Sequence, residues 1–82
     1  MKTTHYFDLQ VSRNRPEITI EMCEYVVRHA DEMRQQSNGY FQMWAFVESA
    51  NRYLRVITTE DKNTLHNAFF DRTYERQKRG DK

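Results

Sequence analysis

The sequence predicts a small α+β domain: an antiparallel sheet in the order β-α-β-β-β, one main helix packed on one face, and a basic C-terminal tail. Three observations support this prediction. Apolar residues recur with a helical period between residues 20 and 34, an apolar run covers residues 40–48, and two β-rich segments flank a polar turn at residues 60–63. At this length we expect one domain, residues 1–82.

The first element, residues 5–12, alternates apolar Phe7, Leu9 and Val11 with polar neighbours, which is the period of a half-buried strand. A helix is the alternative, because Phe7 and Val11 also stand four residues apart. We take the strand as the prediction. Pro16 disfavours a helical conformation for Arg15 and therefore ends this element.

The main helix is predicted from about Ile20 to Arg34. Thr19 can cap it, and Glu21 lies in the first turn, where the helix dipole favours a carboxylate. Residues 37–39, Ser-Asn-Gly, end the helix and turn the chain. The predicted buried stripe consists of Met22, Cys23, Val26, Val27, Ala30 and Met33.

Three strands follow the helix. Residues 40–48 are apolar almost throughout, which predicts a central strand covered on both faces. Residues 53–59 and 64–70 form the β-rich pair, and a turn near Asp61 and Lys62 would place Arg55 opposite residues 67–69. The chain after Asp71 is predicted to form one or two helical turns and to fray over residues 75–82.

Composition excludes several classes of protein. Eleven aromatic residues argue against disorder, although the mean hydropathy is −1.01. Only two glycines are present and none forms a Gly-rich phosphate loop, which argues against nucleotide hydrolysis and dinucleotide binding. The three histidines and Cys23 lack metal-ligand spacing, so we predict no metal and no cofactor.

The charge distribution and the cysteine content indicate the type of ligand and the cellular compartment. The net charge is +1, but residues 1–50 carry −2 and residues 51–82 carry +3, which suits a small phosphate-binding face. A lone cysteine cannot form an internal disulfide, and no apolar run approaches the length of a membrane span. We therefore expect a cytoplasmic protein without membrane contact.

The chain resembles the RelE/ParE-like toxin superfamily, and in particular its small BrnT-type branch. The resemblance rests on the junction Arg-Asn-Arg-Pro-Glu-Ile-Thr at residues 13–19, the three-stranded meander, the pair Asn67-Ala68 closing the last strand, and Arg72-Thr-Tyr-Glu-Arg76 after it. It covers roughly residues 5–76. In such relatives the segment before the proline is often helical, which supports the alternative for residues 5–12.

The resemblance implies a sheet whose face, together with the C-terminal segment, binds RNA or the ribosome and in some members cleaves RNA without a metal. It also implies an antitoxin partner covering that face. The small size of the domain makes a homodimer a further expectation. The alternative function is a non-catalytic adaptor of the same fold, whose aromatic sheet face binds another protein.

Cleavage of RNA needs a group that moves a proton and cations that hold the phosphate. His66 titrates near neutral pH and is the candidate base or acid, with Arg72 and Tyr74 as its catalytic companions. Arginine suits phosphate because its planar fork donates two hydrogen bonds at once. The candidate phosphate-binding residues are Arg13, Arg15, Arg55, Arg76 and Arg79.

Overall fold

The computed structural model describes residues 1–80, except for the side chain of Arg79, and contains a five-stranded sheet with helices on both faces. The strands are β1 (Lys2–Thr3), β2 (Glu32–Gln35), β3 (Phe41–Val47), β4 (Arg52–Thr58) and β5 (Thr64–Phe70). The helices are α1 (His5–Phe7), which continues directly into a π-helical segment (Asp8–Arg13), then α2 (Ile20–His29) and α3 (Arg72–Arg79).

The strands lie in the order β1-β5-β4-β3-β2. The predicted α+β class and the three consecutive strands β3, β4 and β5 are confirmed, and these strands pair antiparallel. Two short edge strands complete the sheet. Because β1 pairs parallel to β5, the sheet is mixed rather than wholly antiparallel.

The core lies between α2 and one face of the sheet. Cys23 and Val26 of α2 pack with the odd-numbered residues of β3 and with Leu54 and Val56 of β4. Within β3, the consecutive residues Met43, Trp44 and Ala45 are all buried, which confirms a strand covered on both faces. Burial raises the pKa of the Cys23 thiol to about 12, so this cysteine is an inert core residue.

The predicted strand at residues 5–12 is wrong, and the helical alternative is correct. Thr4 caps the segment, with its hydroxyl oxygen accepting a hydrogen bond from the Phe7 amide at 3.1 Å. Phe7 and Val11 are both fully buried. Because they stand four residues apart, a helix brings both onto β5. This packing determines the conformation of the segment, although the alternating sequence pattern is typical of a strand.

The main helix begins at Ile20, as predicted, but ends at His29 instead of Arg34. Ala30 leaves the helical conformation (φ −58°, ψ 129°), and the Asp31 amide donates to the Trp44 carbonyl at 2.8 Å. Residues 32–35 then pair with β3 as β2. Helix-favouring side chains thus form a strand because β3 offers an unpaired edge, and Met33 is 48% exposed instead of buried.

The C-terminal segment forms two turns of helix. Asp71 caps α3 by accepting a hydrogen bond from the Tyr74 amide at 3.0 Å, and Gly80 ends the helix in the left-handed conformation at φ 76°. The helix therefore continues past residue 75, where fraying was expected, and residues 81 and 82 lie outside the described part. Among residues 1–80, no helix is long and apolar enough to cross a membrane.

Candidate functional site

Arg55 is the central cation of the sheet face opposite α2. It pairs with Trp44 on β3 and with Phe69 on β5. The second pairing confirms the prediction that Arg55 lies opposite residues 67–69. Its guanidinium carbon lies 5.5 Å from the centroid of the Trp44 ring and 4.9 Å from that of Phe69. Two aromatic rings therefore hold the cation in place, since a planar guanidinium is attracted to ring faces.

Helix α3 docks on this face through Tyr74. The Tyr74 ring stacks on Trp44 with centroids 5.1 Å apart and planes 11° apart. The Tyr74 hydroxyl donates to Glu32 Oε1 at 3.1 Å, and Trp44 Nε1 donates to Asp71 Oδ2 at 3.0 Å. Both rings are about 5% exposed, so the helix is fixed by directed contacts as well as by burial.

Protein groups satisfy the Arg55 guanidinium only in part. Asp71 is its only carboxylate partner within the described residues, at a long 3.8 Å, and the same Asp71 oxygen also accepts from Trp44. Arg55 Nε is buried and has no hydrogen-bond partner among residues 1–80. An unsatisfied buried donor typically costs about 1–3 kcal/mol. One quarter of the side chain is exposed, so an incoming anion can reach the guanidinium.

The exposed part of Arg55 faces a groove of about 430 Å³ between α3 and the sheet. We call it the Arg55 groove. Its lining offers a second arginine and two side-chain amides, which are neutral donors and acceptors. Its lining includes Arg34, Gln42, Trp44, Arg55, Phe69 and Gln77.

Arg34 forms the other cationic wall of the Arg55 groove. Its guanidinium carbon lies 5.2 Å from the centroid of the Trp44 ring, and its side chain forms a salt bridge of 2.5 Å with Glu32. The pKa of Glu32 lies below its usual value, chiefly because Arg34 donates a hydrogen bond to it. The Arg34 side chain is 62% exposed, so it can reorient towards a ligand more readily than Arg55 can.

A second groove, of about 390 Å³, lies on the other side of α3. We call it the Arg72 groove. Arg52 stacks on Phe70, with its guanidinium carbon 4.1 Å from the ring centroid. Three arginines thus surround this groove together with two carboxylates. Its charged lining is Arg52, Asp71, Arg72, Glu75 and Arg76.

His66 lies in a different cluster. The register between β4 and β5 shifts so that Ile57 faces Asn67 while Thr58 faces Leu65, which leaves His66 as the extra residue of a bulge. Its Nδ1 lies 3.0 Å from the Thr4 hydroxyl, and it contacts the rings of Tyr6 (4.9 Å) and Tyr40 (5.0 Å). Burial lowers the pKa of His66.

The structure therefore does not bring the predicted catalytic histidine to the arginines. Phe69, the partner of Arg55, is three residues from His66 along β5, or roughly 10 Å. Arg72 lies at the start of α3, beyond the far end of that strand. The contacts of His66 instead fasten the N-terminal segment to β5.

Two of the remaining predicted arginines, Arg15 and Arg13, occupy different settings. Arg15 binds β5, with its Nη1 donating to Asn67 Oδ1 at 3.1 Å and to the Ala68 carbonyl at 3.0 Å. This clamp uses the Asn67-Ala68 pair that the sequence singled out. Arg13 is exposed at the end of the π-helical segment and lines neither groove. The side chain of Arg79 lies outside the described part.

No protein-family model, curated protein or solved structure matches this chain. The resemblance to RelE/ParE-like toxins therefore stays a prediction, as do the antitoxin, ribosome and homodimer partners.

Tyr74 is poorly placed to donate a proton to a substrate. Its hydroxyl already donates to Glu32, and burial, together with this hydrogen bond, raises its pKa to about 12. General acids act best when their pKa lies near the working pH. Among residues 1–80, no group of three or more histidine, cysteine or carboxylate side chains is arranged to hold a metal ion.

Two groove residues were missed because their local sequence gave other signals. Arg34 was assigned to the end of the main helix, whereas it lies on β2 next to Gln42. Gln42 is the one polar residue inside the apolar run from residue 40 to residue 47. That single interruption was the available sign that the end of β3 near Gln42 borders a groove.

Proposed function

We propose that this domain binds single-stranded RNA in the Arg55 groove, as a toxin-like RNA- or ribosome-binding module. The observation that supports the proposal most is the incomplete hydrogen bonding and ion pairing of Arg55. Its guanidinium is held between two rings, its carboxylate partner is 3.8 Å away, and its Nε has no acceptor among the described residues. A phosphate oxygen in the groove can accept hydrogen bonds from the exposed part of the Arg55 guanidinium, which Asp71 approaches only to 3.8 Å.

The lining of the groove suits a nucleotide better than a simple anion. Single-stranded RNA is recognised by stacking on rings and guanidinium planes and by hydrogen bonds to base edges. Phe69 and Arg55 provide a stacked pair, and the amides of Gln42 and Gln77 can donate and accept at a base edge. The resemblance of the meander and tail to RelE/ParE-like toxins points to the same class of ligand.

The Arg72 groove extends the path for the RNA backbone. Asp71 lines both grooves at the start of α3, so the two grooves are neighbours at that point. Arg72 and Arg76 are exposed there and can reach phosphates on either side of a bound nucleotide. The two carboxylates of this groove keep its charge modest, which predicts binding that is weak and sensitive to salt.

Binding fits the geometry better than cleavage does. His66 lies in the Thr4–Tyr6–Tyr40 cluster, and the Tyr74 hydroxyl is engaged by Glu32. Cleavage in the groove would have to use Arg55, Arg72 and Tyr74 without the histidine. The metal-independent ribonuclease predicted from the sequence is therefore the second outcome that the experiment must distinguish.

Fluorescence anisotropy of a labelled uridine-rich oligonucleotide tests the proposal. We expect the affinity to fall about tenfold or more in Arg55→Met, because one well-placed arginine contributes roughly 1–3 kcal/mol. Arg34→Gln should weaken binding less, since Arg34 is more exposed. Arg28→Gln is the matched control, an exposed arginine on α2 away from the groove.

The same samples, run on a denaturing gel, separate binding from cleavage. Intact RNA with salt-dependent binding supports the proposal. If the wild type produces RNA fragments and neither Arg72→Gln nor Tyr74→Phe does, the result would instead support the ribonuclease. If the oligonucleotide fails to bind even at low salt, or if Arg28→Gln weakens binding as much as Arg55→Met, the proposal is wrong and the adaptor alternative gains.

A further inference from the structure

A third concave surface lies on the opposite face of the molecule from the grooves. It is a cleft of about 410 Å³ between the first two turns of α2 and the end of β3 with its following turn. We call it the Tyr25 cleft. Its residues come from Thr19 to Tyr25 and from Val47 to Ser49. None of them takes part in the proposed RNA site.

The walls of the Tyr25 cleft are apolar. Met22 and Tyr25 project from α2, and Val47 closes the cleft from β3. Tyr25 is 46% exposed, and Ile20, on the same helix, is 41% exposed. Isolated exposed apolar residues are ordinary, but Tyr25 borders a concave apolar surface together with Met22 and Val47, which is the usual character of a protein-binding site.

The rim of the cleft is acidic. Glu21 and Glu48 are exposed at its mouth, and no lysine or arginine lines it. Within the described residues, neither carboxylate forms a salt bridge, in contrast to Glu24, which is bound to the N-terminal amine at 2.7 Å. The rim therefore presents unpaired negative charge around an apolar depression.

We propose that the Tyr25 cleft docks a basic amphipathic helix of a partner protein. An apolar side chain of the helix enters between Met22, Tyr25 and Val47, and lysines or arginines flanking it pair with Glu21 and Glu48. Helices bind grooves in this way, with the apolar face giving affinity and the surrounding charges giving orientation.

Among residues 1–80, the chain itself does not offer such a helix. Helix α3 is basic, but its one apolar side chain, Tyr74, is buried against Trp44 and cannot enter the cleft of a second copy. Nucleic acid is disfavoured by the acidic rim. A partner protein that combines apolar and basic residues is the occupant that matches both the walls and the rim.

The test uses a fluorescein-labelled helical peptide of leucine and lysine, about four turns long, and the same peptide with glutamate in place of lysine. The lysine peptide should bind, and its affinity should fall about tenfold in Tyr25→Ala, which removes the largest wall. Glu21→Gln with Glu48→Gln should weaken it about three- to tenfold, because exposed ion pairs are individually weak.

Two matched controls are available in the same chain. Tyr6→Ala removes a tyrosine with 45% exposure outside the cleft, and Glu60→Gln removes an exposed carboxylate in the turn between β4 and β5. Both should leave the affinity for the lysine peptide unchanged. Circular dichroism confirms that each variant is folded.

Three results would overturn the proposal. The first is no binding of the lysine peptide, and the second is equal binding of the glutamate peptide. The third is a peptide-free dimer in sedimentation that Tyr25→Ala converts to a monomer, because a second copy would then occupy the cleft. Failure of RNA binding has no effect on these measurements, so the two proposals stand or fall separately.

Discussion

On the α2 side of the sheet the buried side chains are mainly aliphatic, whereas the α3 side buries the aromatic side chains of Trp44 and Tyr74 next to the partly exposed Arg55. Val26, Leu54 and Val56 are fully buried on the first side and are stabilised by apolar packing alone. On the second side, Trp44 and Tyr74 are also buried, and hydrogen bonds and stacking hold them in place. The same three strands therefore carry two different kinds of interior.

The difference separates stability from binding. An aliphatic interior gains free energy in proportion to the area removed from water and leaves nothing unsatisfied. The α3 side holds a partly exposed cation whose carboxylate partner is 3.8 Å away and whose buried Nε has no acceptor among the described residues. The unsatisfied Nε weakens the fold locally, and the exposed part of the guanidinium is available to a ligand. We expect substitutions on the α2 side to change unfolding, and those on the α3 side to change ligand affinity.

The largest expected effect comes from Leu54→Ala. Leu54 is fully buried in the core, so the substitution should lower the free energy of unfolding by about 2–5 kcal/mol. Urea denaturation followed by circular dichroism measures the change. A loss below about 1 kcal/mol would mean that the α2 side is not the main source of stability.

The neighbouring residue on the same strand gives the matched comparison. Arg55→Met should alter the free energy of unfolding by less than about 1 kcal/mol in either direction, because an apolar side chain often replaces a buried ion pair without loss. Asp71 keeps its bonds to Trp44 and to the Tyr74 amide. The variant should nevertheless lose about tenfold or more in RNA affinity. An unfolded Arg55→Met would contradict the division between the faces.

Tyr74→Phe sharpens the description of the α3 side. The variant keeps the stack on Trp44 but loses the hydrogen bond to Glu32, so the free energy of unfolding should fall by about 1 kcal/mol. Quenching of Trp44, the only tryptophan, reports whether α3 is still docked. Glu32→Gln, which retains an acceptor for the hydroxyl, should cost less, and a larger cost would show that the charge of Glu32 matters more than the bond.

The smallest effect concerns the pH dependence at His66. Its pKa is lowered by burial in the folded state, so the unfolded chain binds the proton more readily. The contribution of neutral His66 to the free energy of unfolding should therefore be fully present above about pH 6.5, the ordinary pKa of histidine. This contribution should decline as the pH falls below that value. Comparison with His66→Gln between pH 7 and pH 5 isolates this contribution, and the variant should show the shallower decline.

Local patterns predicted most of the sheet and the start of the main helix. The apolar run gave β3, the polar turn gave the β4–β5 hairpin, and Thr19 gave the first residue of α2. These features depend on residues close together in the sequence, so the side-chain pattern alone specifies them. The pairing of Arg55 with Phe69 followed from the hairpin for the same reason.

Features that depend on distant partners were not predictable. Residues 32–35 have helical propensity and become β2 only because β3 has a free edge. The contact between Glu32 and Tyr74 joins residues 42 positions apart, and no local signal marks it. A one-residue bulge in β5 moves His66 away from the arginines, and such register shifts leave little trace in a single sequence.

An NMR titration of one sample with two ligands tests the central claim most directly. We predict that the RNA oligonucleotide shifts the Trp44 indole and the side-chain amides of Gln42 and Gln77, while the Leu/Lys peptide shifts the backbone amides of Tyr25 and Val47. Each ligand should leave the resonances of the other face unchanged. If both ligands shift the same residues, or if RNA shifts only the Tyr25 cleft, the two faces do not have the separate roles described.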